Sequence, residues 1–240
     1  MKIIYLDGKY HNVNDQVLEA MTPGFFKARG VFETMLGLDG VVLDAEAHLK
    51  RLKAGLKTLK LRAPAVDVHV LNQVLRRNRV SPARVRLMVW QAGCHVHVMA
   101  AALPYKISDK VYRVCLVKTD RPASARMANV KSLDYALFAD AYAKARAQGF
   151  DEALLLNAKG HIFEASRANI FWLKQGVLYT PPLSSGCLNG ITRQQVIRQA
   201  RLLKVSVHEK HLTPAMLKAA DAAFLTNSLI GLQSISIGRH

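Results

Sequence analysis

Short apolar runs broken by Asp-Gly pairs constrain this chain more than any other feature. Val31 to Leu38 and Val41 to Leu43 flank Asp39-Gly40, and Ile3 to Leu6 runs into Asp7-Gly8. Asp-Gly suits a two-residue turn with both residues at positive φ, so each pair predicts a β-hairpin. Asp44 then reads as the cap of a helix from about Ala45 to Lys60, and Asp67 as the cap of another over Val68 to Asn78. Two strands follow, Val85 to Trp90 and His95 to Ala102, around Gln91-Ala92-Gly93-Cys94. Leu103-Pro104 leads out of this first lobe.

The second lobe opens with a strand at Val111 to Val117 and a helix over Ser132 to Gln148 closed by Gly149. A strand series follows: Glu152 to Leu156, His161 to Glu164, Asn169 to Leu173 and Val177 to Thr180. A Gly-bounded loop, Gly186 to Gly190, enters a helix from Ile191 to Leu203. A short strand at Ala222 to Leu225 runs into Thr226-Asn227-Ser228. The pattern predicts an α+β fold of two lobes, residues 1–104 and 105–240, with largely antiparallel sheets and helices outside.

Half of the residues are hydrophobic, enough for a sizeable core. No apolar run approaches the roughly 20 residues that cross a bilayer, and the first residues read as a strand rather than a signal peptide. The three cysteines are scattered and odd in number, which argues for a reducing compartment, the cytoplasm by default, and against a disulfide framework or zinc cluster. The net charge of +17 raises nucleic acid as a partner. Its densest part, Lys50 to Arg62, alternates with Leu49, Leu52, Leu56 and Leu59 at helical spacing. That pattern reads as a solvated basic face that steers anionic substrates, and no nucleic-acid motif accompanies it.

Three places carry chemistry. Lys131 precedes Ser132-Leu133-Asp134-Tyr135; a lysine opening a helix has its pKa lowered by the macrodipole, but taken alone the position reads first as an ordinary surface lysine. Glu164 ends a strand, where it can bind a protonated ring nitrogen or brace the following turn. Gly190-Ile191-Thr192 opens a helix, and N–H groups there with the Thr192 hydroxyl can cradle a phosphate or form an ordinary helix start. His95 and His97 share a strand face without a third ligand at metal spacing, so no metal is expected. Cys187 lies before the Ile191 helix, where a thiol pKa can fall.

Seven segments bring these places into one order: Val31-Phe32-Glu33-Thr34, His48-Leu49-Lys50-Arg51-Leu52, Lys131-Ser132-Leu133-Asp134-Tyr135, Asp151 to Leu156, Glu164-Ala165-Ser166-Arg167-Ala168-Asn169-Ile170-Phe171, Leu188 to Arg193, and Thr226-Asn227-Ser228. In that order they resemble the fold-type IV enzymes of pyridoxal 5′-phosphate (PLP), the class IV aminotransferases and aminodeoxychorismate lyase. The resemblance implies a two-lobed fold with the site between the lobes, and a homodimer. It makes Lys131 the Schiff-base lysine and Glu164 the partner of the pyridine nitrogen. It gives Arg51, Ile191, Thr192, Thr226 and Asn227 to the phosphate, and Leu188 to the ring face.

Within the family, Thr34 matches a threonine that assists proton transfer in the lyase branch, where branched-chain aminotransferases usually carry glycine. Arg86 aligns with a basic residue that receives a substrate carboxylate. Arg29 stands where relatives often carry a Gly-Asp-Gly segment, and either adds a carboxylate-binding charge or sits on the surface. The expectation is a 4-amino-4-deoxychorismate lyase acting on a small anionic amine and yielding p-aminobenzoate and pyruvate for folate synthesis. The alternative is an aminotransferase for branched-chain or D-amino acids.

Overall fold

The computed structural model describes residues 2–14, 29–119, 127 and 129–237. They divide into two compact units, Met1–Ile107 with Val130–Ala136, and Ser108–Asn129 with Leu137–His240. Residues 130–136 therefore belong to the first unit, whereas the sequence boundary at 104/105 assigns Lys131 to the second lobe. The reason is pairing between distant parts of the chain.

The first unit is built on a six-stranded antiparallel sheet. Its strands are β1 (Lys2–Leu6), β2 (Lys9–Val13), β3 (Gly30–Leu38), β4 (Val41–Val42), β5 (Ala83–Ala92) and β6 (His95–Pro104), in the order β2-β1-β6-β5-β3-β4. Both Asp-Gly pairs form the predicted turns, with φ of 45° and 95° at Asp7 and Gly8 and of 47° and 80° at Asp39 and Gly40. Helices α1 (Ala45–Leu59) and α2 (Val68–Asn78) cover one face. There Val31, Met35, Val85, Leu87 and Val89 pack with Leu49, Leu52, Leu71 and Leu75. Each such side chain taken from water contributes about 1.5–3 kcal/mol. The opposite face carries a smaller cluster that includes Phe32, Met88, Met99 and Leu133.

The two expected caps differ. Asp67 accepts from the Val70 N–H at 2.9 Å and caps α2. Asp44 stands before α1 at φ 53°, a left-handed conformation, and makes no side-chain cap. A capping side chain reaches the second or third N–H from extended backbone, and the left-handed turn aims it elsewhere. Lys50, Lys53, Lys57 and Lys60 all point to solvent, which makes the basic face of α1 a solvated one.

The second unit holds an eight-stranded sheet of β7 (Tyr112–Lys118), β8 (Glu152–Leu156), β9 (Ile162–Ala165), β10 (Asn169–Lys174), β11 (Val177–Thr180), β12 (Val207–Glu209), β13 (Ala222–Asn227) and β14 (Gly231–Ile237). The order is β12-β11-β10-β13-β14-β7-β8-β9. This sheet is mixed rather than largely antiparallel, because β7–β8, β14–β7 and β11–β12 run parallel. Helix α3 (Ala136–Ala147) lies in the chain between β7 and β8, and α4 (Ile191–Leu202) between β11 and β12. Crossovers of that length let consecutive strands run parallel. A short helix, α5 (Pro214–Lys218), precedes β13. Strand β8 is buried along its whole length: Leu154 and Leu156 join one core, Ala153 and Leu155 another with Ala141, Ala145 and Phe163.

Candidate active site

Lys131 does not open a helix. The segment Lys131–Tyr135 precedes α3, and its start is stitched to the outer edge of β3 as a short antiparallel strap. Phe32 N–H donates to the Lys131 carbonyl at 3.0 Å, and Leu133 N–H to the Gly30 carbonyl at 2.9 Å. Strand β4 pairs only with Gly37 and Leu38, so the first half of β3 has an edge to offer. The macrodipole argument for Lys131 therefore lapses, and an aromatic setting replaces it. Its Nζ lies 4.4 Å from the centre of the Phe32 ring and 5.7 Å from that of Tyr135, and these rings meet edge to face at 5.3 Å.

Arg86 and Thr34 belong to the same strand pair. Thr34 stands directly opposite Arg86 in the β3–β5 register, and the Arg86 guanidinium lies 5.3 Å from the Phe32 ring centre. Side chains directly opposite in adjacent strands share a face, and so do residues two apart. Phe32, Thr34, Arg86 and Lys131 are thus on one side of the sheet. No carboxylate pairs with Arg86 among the described residues, and its buried Nε has no hydrogen-bond partner there. Burial, with Arg84 nearby, pushes its pKa below the usual arginine value. A desolvated cation of this kind suits a ligand carboxylate. Arg29 is spent differently: its guanidinium donates to Gln91 Oε1 at 2.9 Å and to the Leu59 carbonyl, the last residue of α1, at 2.6 Å.

On the helix side of β3 lies a group that sequence reasoning overlooked. Glu33 is fully buried. It accepts from Arg51 Nε at 2.8 Å and Nη2 at 2.5 Å, and its Oε2 lies 2.7 Å from His48 Nδ1. Burial pushes its pKa up, but these hydrogen bonds and the Arg51 charge win and hold it below the usual carboxylate value. The signal was present: Glu33 shares a period-two face with Val31 and Met35, and a carboxylate on a core face calls for partners.

The second unit assembles the other candidates. Glu164, buried at the end of β9, accepts from the Leu188 N–H at 3.0 Å. The Leu188 carbonyl accepts from Asn169 Nδ2 at 2.8 Å. Asn169 also presses on Gly190, where an added Cβ would collide with its side-chain oxygen. Gly190 thus leaves the N-terminus of α4 without a capping side chain, with Ile191 and Thr192 as its first helical residues. Thr226 pairs with Asn169 across β13 and β10, and its buried Oγ1 has no hydrogen-bond partner among the described residues. Asn227 is committed locally, donating to the Arg167 carbonyl at 3.0 Å and accepting from Leu229 and Ile230 N–H. A second overlooked carboxylate, buried Glu152, braces this turn through Ser166 Oγ and through Arg167 Nε at 3.1 Å. At Cys187 burial, and then the Glu164 charge, push the thiol up to about 12 rather than lowering it.

An uncapped helix start, a glycine at its threshold and an orphaned buried hydroxyl suit a ligand with a phosphate. A buried carboxylate and an aromatic-set lysine suit a pyridine nitrogen and a carbonyl. Taken unit by unit, these donors and acceptors match the groups that PLP carries.

Comparison with known proteins agrees. The family model described as amino-transferase class IV matches residues 30–237. A Methanocaldococcus jannaschii protein, provisionally named a branched-chain-amino-acid aminotransferase, is 33% identical over 94% of this chain and 84% of its own. The aminodeoxychorismate lyase of Bacillus subtilis is 30% identical over 95% of this chain and 84% of its own. The crystal structure of the branched-chain aminotransferase of the archaeon Thermoproteus uzoniensis with norvaline superposes with a TM-score of 0.83 at 28% identity, covering 98% of this chain and 87% of that one. The chain belongs to the class IV aminotransferases, a family of fold-type IV enzymes whose cofactor is PLP.

Proposed function

We propose that the chain is a PLP-dependent lyase that converts 4-amino-4-deoxychorismate to p-aminobenzoate and pyruvate. The observation that carries this reading is the Thr34–Arg86 pair, a hydroxyl and a cation with no carboxylate partner among the described residues, on the sheet face that also holds Lys131. When bound, PLP supplies an electron sink for bond breaking next to the substrate amine.

The chain's own residues do the rest. Arg51, the N–H groups of Ile191 and Thr192, and the Thr192 and Thr226 hydroxyls hold the phosphate. Asn227 shapes the turn beside Thr226. Glu164 keeps a proton on the pyridine nitrogen, and Leu188 packs on the ring. Lys131 would hold the cofactor through its amine and, once that amine is free, would take the proton from the amine-bearing ring carbon. Arg86 pairs with a substrate carboxylate, and the proton that Lys131 takes up passes, directly or through the Thr34 hydroxyl, toward the departing enolpyruvyl group. Aromatisation of the ring drives that departure. Arg29, with its guanidinium on Gln91 and Leu59, drops out of the substrate set. The active form in this reading is a homodimer.

Amino-group transfer from branched-chain or D-amino acids to 2-oxo acids is the second reading. The slightly higher identity of the aminotransferase relative favours it. Lys131 would then move the proton from the amino acid Cα to the cofactor. A product assay separates the two. Wild type given enzymatically made aminodeoxychorismate yields p-aminobenzoate and pyruvate in equal amounts, and Lys131→Ala yields neither. PLP-bound wild type that makes neither product, yet transfers amino groups to 2-oxo acids, overturns the lyase reading.

A further inference from the structure

Stability alone does not account for Glu33. The carboxylate is wholly buried in the sheet–helix interface of the first unit, among Val31, Met35, Leu49 and Leu52. A buried ion pair is on balance no more stabilising than apolar residues of the same volume. What it does supply is direction. Nε and Nη2 of Arg51 both donate to this one carboxylate, a forked arrangement that fixes the plane of the guanidinium as well as its distance. His48 precedes Arg51 by one helical turn of α1 and steadies Oε2 from the same helix face. Arg51 is the only member of the group with surface left, its side chain 14% exposed against 0% and 1% for His48 and Glu33. Glu33 is thus a wall at the back of Arg51, facing away from solvent.

We infer that Glu33 is a positioning residue, which with His48 pre-orients the Arg51 guanidinium for the phosphate of the cofactor. The inference rests on the reading of Arg51 as a phosphate contact and adds what aims it. Glu33 touches neither cofactor nor substrate and acts through Arg51.

The test compares two ligands on the apo-protein: PLP, and pyridoxal, which lacks the phosphate. Affinities are read from the absorbance of the bound cofactor in wild type, Glu33→Gln, Arg51→Ala and the double variant. Glu33→Gln is expected to weaken PLP about tenfold and to leave pyridoxal within about twofold, the size of effect that an outer-shell partner has on a ligand contact. In the Arg51→Ala background, Glu33→Gln should change the PLP-to-pyridoxal ratio no further. Equal losses for both ligands, or unchanged PLP affinity, would overturn the inference. If Arg51→Ala lowers the ratio and Glu33→Gln does not, the positioning role alone falls. If Arg51→Ala leaves the ratio intact, the phosphate assignment falls and the inference with it. Should Glu33→Gln not fold, Glu33→Asp carries the same test: it keeps the charge and shortens the reach, so the ratio drops if orientation matters and holds if it does not.

Discussion

Single side chains in this protein are set by what the fold brings to them, and His211 gives a measurable case. Its ring stacks on that of His161 with centroids 4.9 Å apart. Burial, then His161 and Lys159, holds its pKa below the ordinary 6.5. The folded state therefore takes up fewer protons than the unfolded chain as the pH falls through 6.5. The stability this pair contributes is present above that value and is lost below it. Thermal unfolding midpoints should fall between about pH 7 and about pH 5, and His211→Gln should flatten that slope. A slope unchanged in the variant would assign the pH dependence elsewhere. Lys131, Glu164 and Thr192 were legible as candidates, because motif order singles them out. Glu33, His48 and Glu152 were not, because their roles come from burial and pairing that only sheet register creates.

At the level of elements, the strap at Lys131 carries the main lesson. Ser132 to Tyr135 reads locally as a helix start, yet the edge of β3 that β4 leaves unpaired takes up Ser132 and Leu133, and α3 begins at Ala136. A strand edge about 100 residues away outcompeted a local propensity, and no window of sequence contains it. Gly30 makes the strap possible. A Cβ there would run into the Val89 carbonyl and lie 2.7 Å from Leu133 Cδ1 and 2.8 Å from the Trp90 Cα. Gly30→Ala should destabilise the protein by about 1–3 kcal/mol in urea unfolding and weaken PLP binding at the same time. Wild-type stability in that variant would show that the strap tolerates displacement. The hairpins and α2, by contrast, stand where Asp-Gly and the Asp67 cap put them, since their determinants lie within a few residues.

For the whole molecule, the sequence carried the α+β class, the strand series and the ordered motifs of one family. It did not carry the parallel pairs of the second sheet or the return of residues 130–136 to the first unit. Both depend on contacts between segments far apart in the chain. The excess of cations, +17 over 240 residues, is displayed in part on the solvent face of α1. No helix among the described residues is long and apolar enough to cross a membrane. One amine, that of Lys131, is held over Phe32 by the β3 strap. Borohydride reduction of the PLP-loaded protein, followed by peptide mass spectrometry, tests its role most directly. A phosphopyridoxyl group is expected on Lys131 and none in Lys131→Ala. A label on another lysine, or none on a protein that retains PLP, would contradict it.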